Sequence, residues 1–204
     1  MAAIGQSKQE LRVTNKLLKR GLRLEYLTLG WNVVGSIIVI LSGLQANSVA
    51  LVGFALDSLI EIGASTVVIW QLTGVSQNRE KSALRFIGTA FFVLATYLLT
   101  RSLEALLAQA CPNHSPIGIA WLAATFIVML LLALGKAVTG KKLNNPVLKT
   151  EARVTIADAY LAGSVLVGLL LNTFFGWWWA DPVAGLVIVF YGFKEGWRAW
   201  VESS

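Results

Sequence analysis

The chain of 204 residues is 56% hydrophobic and only 14% charged, and its formal net charge is +6. A soluble domain of this size has too little polar surface for that composition, so the lipid bilayer is the expected solvent. The composition leaves no room for a cytosolic catalytic fold or for a nucleic-acid-binding domain. The sequence therefore predicts an integral membrane protein.

Six apolar stretches are each long enough to cross a hydrocarbon core, which takes about 20 residues. They predict an all-α, multi-pass membrane protein with helices over residues 24–44, 48–72, 83–107, 116–138, 152–173 and 178–200. The connections after the first and fifth stretches are tight turns, so each of these helix pairs is predicted to be antiparallel and adjacent. The chain then divides into a basic amino-terminal arm over residues 1–23 and a six-helix transmembrane domain over residues 24–201, with no soluble carboxyl-terminal domain.

Lysine and arginine indicate which side of the membrane each connection faces, because loops that carry them are held in the cytoplasm. All 17 except Arg101 lie in the amino-terminal arm, the second and fourth connections or the carboxyl-terminal tail. This pattern predicts cytoplasmic amino and carboxyl termini, and it assigns Lys136 to the loop after the fourth helix. The basic charge is therefore interpreted as a topology signal and a contact with lipid head groups, not as a nucleic-acid site.

The third connection contains the only cysteine, Cys111, and the only histidine, His114. An internal disulfide and a zinc site built from Cys and His are both impossible with one residue of each kind. A solvated loop is the plainer interpretation, and contact with a metal at the entrance is the alternative. An intramembrane enzyme is not predicted, because no helix carries a His, a Cys or an HExxH-type pair.

Three acidic residues, Asp57, Glu61 and Asp158, lie inside predicted helices and away from their ends. An ionisable group in hydrocarbon costs roughly 2.5–3.5 kcal/mol on insertion scales, so a functional reason for each is expected. Asp57 and Glu61 are four residues apart and lie one turn apart on one helix face, which is suitable geometry for a bound cation. In the fifth helix, Glu151, Thr155 and Asp158 form a second stripe of oxygen atoms.

The sequence indicates no lysine or arginine deep in any helix that could neutralise these carboxylates. A mobile cation, bound protons or water must then do so, and the first two are what a cation/proton antiporter requires. The alternative is a structural network of protonated, hydrogen-bonded carboxyls that holds the helices together.

Two further polar residues in the predicted helices have structural interpretations. Asn32 supplies either a neutral oxygen near the carboxylates or an interhelical hydrogen bond, and the sequence leaves both open. Asp181 precedes Pro182, which is a common way to open a helix, so it is interpreted as the cap of the sixth helix.

Residues 48–65, in which Asp57 and Glu61 are followed by small residues, resemble the second transmembrane helix of the cation diffusion facilitator family. That helix carries two metal ligands four residues apart. The fifth helix, with Glu151 and Asp158, resembles the helix that supplies the other ligands. Residues 176–185 and 194–196 are similar to the family's sixth helix, and residues 24–32 to the first helix of a bacterial branch.

The resemblance implies secondary transport of divalent transition-metal cations, commonly zinc, out of the cytoplasm in exchange for protons. It also implies homodimers that alternate access, and a place in the bacterial inner membrane. The metal is the transported substrate, and no resident cofactor is predicted. A non-transporting membrane scaffold with a structural polar network is the alternative function.

The sequence departs from the family pattern at one ligand and at its carboxyl end. The position four before Asp158, often His in the family, is Val154, so Glu151, Thr155 or water must complete the coordination. The soluble domain of many members is missing, as in the short branch. Because oxygen ligands suit harder ions, manganese, iron(II) and cobalt are alternatives beside zinc and cadmium. The predicted metal-binding residues are Asp57, Glu61, Asp158, Glu151, Asn32 and Thr155.

Overall fold

The computed structural model describes residues 2–72 and 78–202, and within these ranges the chain forms six α-helices and no strand. The helices are α1 Ala2–Ala46, α2 Val49–Leu72, α3 Asn78–Leu107, α4 Pro116–Leu143, α5 Pro146–Phe175 and α6 Ala180–Glu202. The prediction of an all-α protein with six helices in these places is confirmed. The predicted basic connection between α2 and α3 falls partly on residues 73–77, outside the described ranges.

The first helix is longer than the apolar stretch that predicted it. It begins at Ala2, so most of the predicted arm over residues 1–23 is helical and continuous with the membrane segment. The arm is rich in leucine, lysine, arginine and glutamine, which are good helix formers, and it contains no proline. The basic residues therefore extend α1 beyond its apolar part.

Within residues 2–72 and 78–202, four segments are long and apolar enough to cross a bilayer, which confirms that the chain is an integral membrane protein. They are Val13–Ala46, Gly88–Leu107, Pro116–Leu143 and Glu151–Phe175. α6 is not among them, and it carries charged residues near both of its ends. In α2 the side chains beyond Gly63 are described only in part. Six membrane crossings and cytoplasmic termini stay predictions.

The helices pack with α2 in the middle of the bundle, in contact with α1, α3, α5 and α6. The most extensive pairings are α4 with α5, α3 with α6, and α1 with α2. Both predicted antiparallel pairs, α1 with α2 and α5 with α6, are in contact. The apolar core surrounds the first half of α2, where Leu51, Phe54 and Ala55 are buried against residues of α3 to α6. Asp57 follows this core directly and is itself buried.

A short turn joins α4 to α5 and sets where both helices end. Asn144 adopts the left-handed conformation with φ 48° and ends α4, while the Asn145 side chain accepts a hydrogen bond from the Leu148 N–H at 3.1 Å. Pro146 then begins α5. Proline is tolerated there because the first N–H groups of a helix have no hydrogen-bond partner within the helix. Because of this turn, α4 runs five residues past its predicted end at Val138. α5 begins six residues before its predicted start at Ala152.

Candidate cation site

The polar stripes of α2 and α5 face each other inside the bundle. Asp57, Glu61 and Ser65 of α2 are buried, as are Asp158 and Glu151 of α5. The Ser65 hydroxyl donates to Glu151 Oε1 at 3.5 Å, which links the two helices. One turn away, the carboxyl groups of Asp57 and Asp158 both lie within electrostatic range of Glu61. We call Asp57, Glu61 and Asp158 the central carboxylates.

Asn32 connects α1 to the central carboxylates. Its amide nitrogen, Nδ2, donates to Glu61 Oε2 at 2.9 Å, and both side chains are buried. The residue therefore forms an interhelical hydrogen bond, and that bond also orients a carboxylate. Whether Asn32 provides an oxygen to a metal ion stays a prediction.

Both carboxyl oxygens of Asp158 are fully buried without a hydrogen-bond partner among the described residues. Its side chain is 1% exposed. A buried carboxyl group in this situation is stable only when it holds a proton or binds a cation. Asp158 therefore needs a proton or a cation that the described part of the chain does not supply.

A lysine lies deep in the bundle, contrary to the prediction from the sequence. Lys136 is 0% exposed, and its ammonium nitrogen donates to Glu25 Oε2 at 3.0 Å, to Glu151 Oε1 at 3.2 Å and to Thr155 Oγ1 at 3.0 Å. The assignment of Lys136 to a loop was wrong, as was the prediction that no lysine lies deep in a helix. The physical reason is that Lys136 lies within α4, two turns before its end at Leu143, and that carboxylates of α1 and α5 pair with its ammonium group inside the bundle. We call Glu25, Lys136, Glu151 and Thr155 the lysine network.

Sequence reasoning also missed Glu25, which is completely buried in α1. Its Oε1 atom has no hydrogen bond within the part of the chain that the structure describes. A signal was available for both residues, because Glu25 and Lys136 fall inside the predicted helices over residues 24–44 and 116–138. The general tendency of charged residues to lie at membrane edges concealed that signal.

The structure divides the predicted metal-binding residues between two groups. Asp57, Glu61 and Asp158 lie together with Asn32, whereas Glu151 and Thr155 belong to the lysine network. Among the described residues, no three His, Cys, Asp or Glu side chains are arranged so that they could hold a metal ion. Glu151 is directed to Lys136, so it does not complete a ligand set with Asp158. The role of all six residues as metal ligands stays a prediction.

Asp181 has a structural role, but on a different helix from the one predicted. It lies in the first turn of α6, where its carboxylate accepts hydrogen bonds from the Ser48 hydroxyl and from the backbone N–H groups of Val49 at 3.0 Å and Ala50 at 3.4 Å. These N–H groups are at the start of α2 and have no partner in their own helix. Asp181 therefore caps α2, not α6.

Comparison with known proteins identifies similar sequences over most of the chain. Residues 26–204 match the family profile described as the cation efflux transmembrane domain. Transmembrane protein 163 of Xenopus laevis is 22% identical over 185 residues, which cover 86% of this chain and 66% of that protein. An uncharacterized transporter of Methanocaldococcus jannaschii is 26% identical over 168 residues, which cover 77% of this chain and 59% of that protein.

An uncharacterized transporter of Synechocystis is 25% identical over 155 residues, which cover 71% of this chain and 50% of that protein. The chain therefore spans between 50% and 66% of the length of these curated relatives. The predicted domain boundaries, including the absence of a soluble carboxyl-terminal domain, stay predictions.

Proposed function

The chain belongs to the cation efflux family, and from this premise we propose that it transports divalent transition-metal cations out of the cytoplasm in exchange for protons. Zinc is the first candidate for the transported ion, and cadmium, cobalt, iron and manganese are the others. Two of the similar proteins are named as transporters, which supports a transport function for this chain.

The observation that carries the proposal is the pair of unpartnered oxygen atoms on Asp158. These atoms lie in the bundle interior within electrostatic range of Asp57 and Glu61, so we expect the three carboxyl groups to move together around an ion that reaches Asp158. The ligands are oxygen atoms, with the amide of Asn32 beside them. Oxygen ligands accept zinc and the harder divalent ions alike, so the metal has to be identified by experiment.

Proton exchange follows from the chemistry of the same groups. Carboxyl groups bind a metal ion only after they lose their protons, so binding of the ion and release of protons are linked. When the ion leaves, the buried central carboxylates take up protons again because an unpaired buried charge is costly. One set of side chains thus carries the metal in one direction and protons in the other.

The proposal includes the arrangement of the chain in the membrane. All six helices cross the bilayer of the bacterial inner membrane, and both termini face the cytoplasm, as the distribution of lysine and arginine indicates. The functional unit is a homodimer. A scaffold without transport activity is less satisfactory, because it gives no reason for a buried Asp158 without a partner.

The proposal is tested by metal uptake into vesicles that contain the purified protein, with and without an imposed pH gradient. Zinc, cadmium, manganese, cobalt and iron(II) are compared in parallel for the wild type and for Asp57→Ala. The matched control is Glu104→Ala, which removes an exposed carboxylate that pairs with Arg101 at 2.7 Å. We expect flux that depends on the gradient in the wild type and the control, and its loss in Asp57→Ala. Folded wild-type protein that moves none of the five ions would refute the proposal.

A further inference from the structure

The ammonium group of Lys136 occupies a cage of oxygen atoms that resembles a cation-binding site. Three oxygen atoms from α1 and α5 lie within 3.2 Å of Nζ, and two of them belong to carboxylates. Lys136, Glu25 and Thr155 are at most 1% exposed, and Glu151 is also buried. The cage therefore already contains a cation, and that cation is part of the protein.

The cage lies between the central carboxylates and one end of the bundle. Ser65, which contacts Glu151, comes one helical turn after Glu61 in α2 and is nearer to the end of that helix at Leu72. The same end of the bundle contains the turn between α4 and α5. The lysine network therefore lies on the side of the central carboxylates that faces this end. Lys136 also acts electrostatically on both Glu61 and Asp158.

Stability alone is a poor explanation for this cage. A buried ion pair loses so much hydration that apolar residues of similar volume often stabilise a protein equally well. The network also leaves Glu25 Oε1 without a hydrogen bond within residues 2–72 and 78–202, so it is not fully satisfied. A role in cation binding explains why these groups are present. Because the network is not fully satisfied, one of its carboxylates can leave the ammonium group and contact another cation.

We propose that Lys136 is a positioning residue that competes with the transported cation for Glu151. This inference rests on the proposed function. In the empty protein the ammonium group holds Glu151 away from Asp158, and a divalent ion must draw Glu151 from Lys136 before that carboxylate can join the ligands. The competition keeps the affinity of the central carboxylates low, so the ion can leave again.

The size of the effect follows from Coulomb's law. Lys136 is about one to two helical turns from the central carboxylates, which is roughly 7 Å. At that distance the repulsion between an ammonium group and a divalent ion lowers affinity about tenfold, even at the dielectric constant of water. Removal of the ammonium group is therefore expected to tighten cation binding about tenfold.

Binding of Zn²⁺ to the purified full chain in detergent tests the competition directly, by displacement from a fluorescent indicator. Background binding is defined with Asp57→Ala. We expect the dissociation constant of Lys136→Met to fall about tenfold, together with the KM for flux, while the maximal rate does not rise. Lys136→Arg keeps the charge and is expected to stay close to the wild type.

Loss of the lysine alone leaves Glu25 and Glu151 without a counter-ion, so Lys136→Met can fail to fold. The double variant Lys136→Met/Glu25→Gln avoids this, because it removes one positive and one negative charge together. It is compared with Glu25→Gln, and we expect Zn²⁺ to bind about tenfold more tightly to the double variant.

The results separate the two proposals. Zn²⁺ binding that depends on Asp57 but is unchanged or weaker without Lys136 would overturn the competition and leave the proposed function intact. A wild type with no Asp57-dependent binding would count against both. A purely structural lysine would lower the melting temperature of Lys136→Met without any change in the KM of the protein that remains folded.

Discussion

Asp158 and Asp181 are two aspartates in neighbouring helices, equally buried at 1% exposure, with opposite surroundings. Asp181 accepts hydrogen bonds from one hydroxyl and two backbone N–H groups, whereas Asp158 has no partner among the described residues. Burial therefore does not distinguish a carboxylate that the protein satisfies from one that it leaves without a donor. The hydrogen-bond donors around each residue do distinguish them. The protein supplies donors to Asp181, whereas Asp158 needs a proton or a cation.

The largest expected effect comes from Asp158→Asn, which keeps the volume of the side chain and removes its charge. A contact between a carboxylate and a cation that contributes about 3 kcal/mol corresponds to a loss of roughly 100-fold in cation flux. No hydrogen bond within the described chain is lost, so we expect the melting temperature in detergent to stay near that of the wild type. Full flux in this variant would place the cation elsewhere.

Asp181→Ala is expected to show the opposite behaviour. The change removes three acceptor contacts at the start of α2, and we expect the free energy of unfolding to fall by about 2 kcal/mol. Flux per folded molecule should remain close to that of the wild type, because Asp181 is not one of the central carboxylates. Denaturant unfolding in detergent and vesicle flux, measured on the same preparation, check both parts. A loss of flux without a loss of stability would show that Asp181 acts in transport and that the contrast with Asp158 is wrong.

Ser48→Ala is the smallest test of the same contrast. It removes the hydroxyl donor to Asp181 but leaves the two backbone N–H groups in place. The Ser48 hydroxyl also accepts from the Leu51 N–H at 3.0 Å, so a second helix cap is lost with it. We expect a decrease of about 1 kcal/mol in the free energy of unfolding, smaller than for Asp181→Ala. An equal or larger decrease would mean that the two contacts of the Ser48 hydroxyl together outweigh the backbone contacts of Asp181.

The sequence was sufficient for the helices and for the two facing stripes. Apolar stretches of the right length predicted six helices, and the spacing of Asp57 with Glu61 placed two carboxyls on one face. These features depend on the spacing of residues within one helix, which can be read from a single sequence. The opposing stripe of Glu151, Thr155 and Asp158 was predictable for the same reason.

The partners of each polar side chain were not predictable, because they depend on contacts between distant parts of the chain. Asp181 contacts Ser48 across 133 positions, and Lys136 contacts Glu25 across 111. No pattern within one helix indicates either pair. The tendency of charged residues to lie at membrane edges was a second source of error, since Lys136 lies within the predicted fourth helix and was still assigned to a loop.

The separation of Glu25 and Lys136 along the chain also affects how the protein is made. A ribosome adds Glu25 to the chain 111 residues before it adds Lys136, the lysine that pairs with this glutamate. Until α4 enters the membrane, Glu25 has no ammonium partner and has to be accommodated by protonation or by water near the translocon. We therefore expect the final placement of α1 in the bilayer to depend on α4 and α5, which carry the groups that pair with Glu25 or share its lysine.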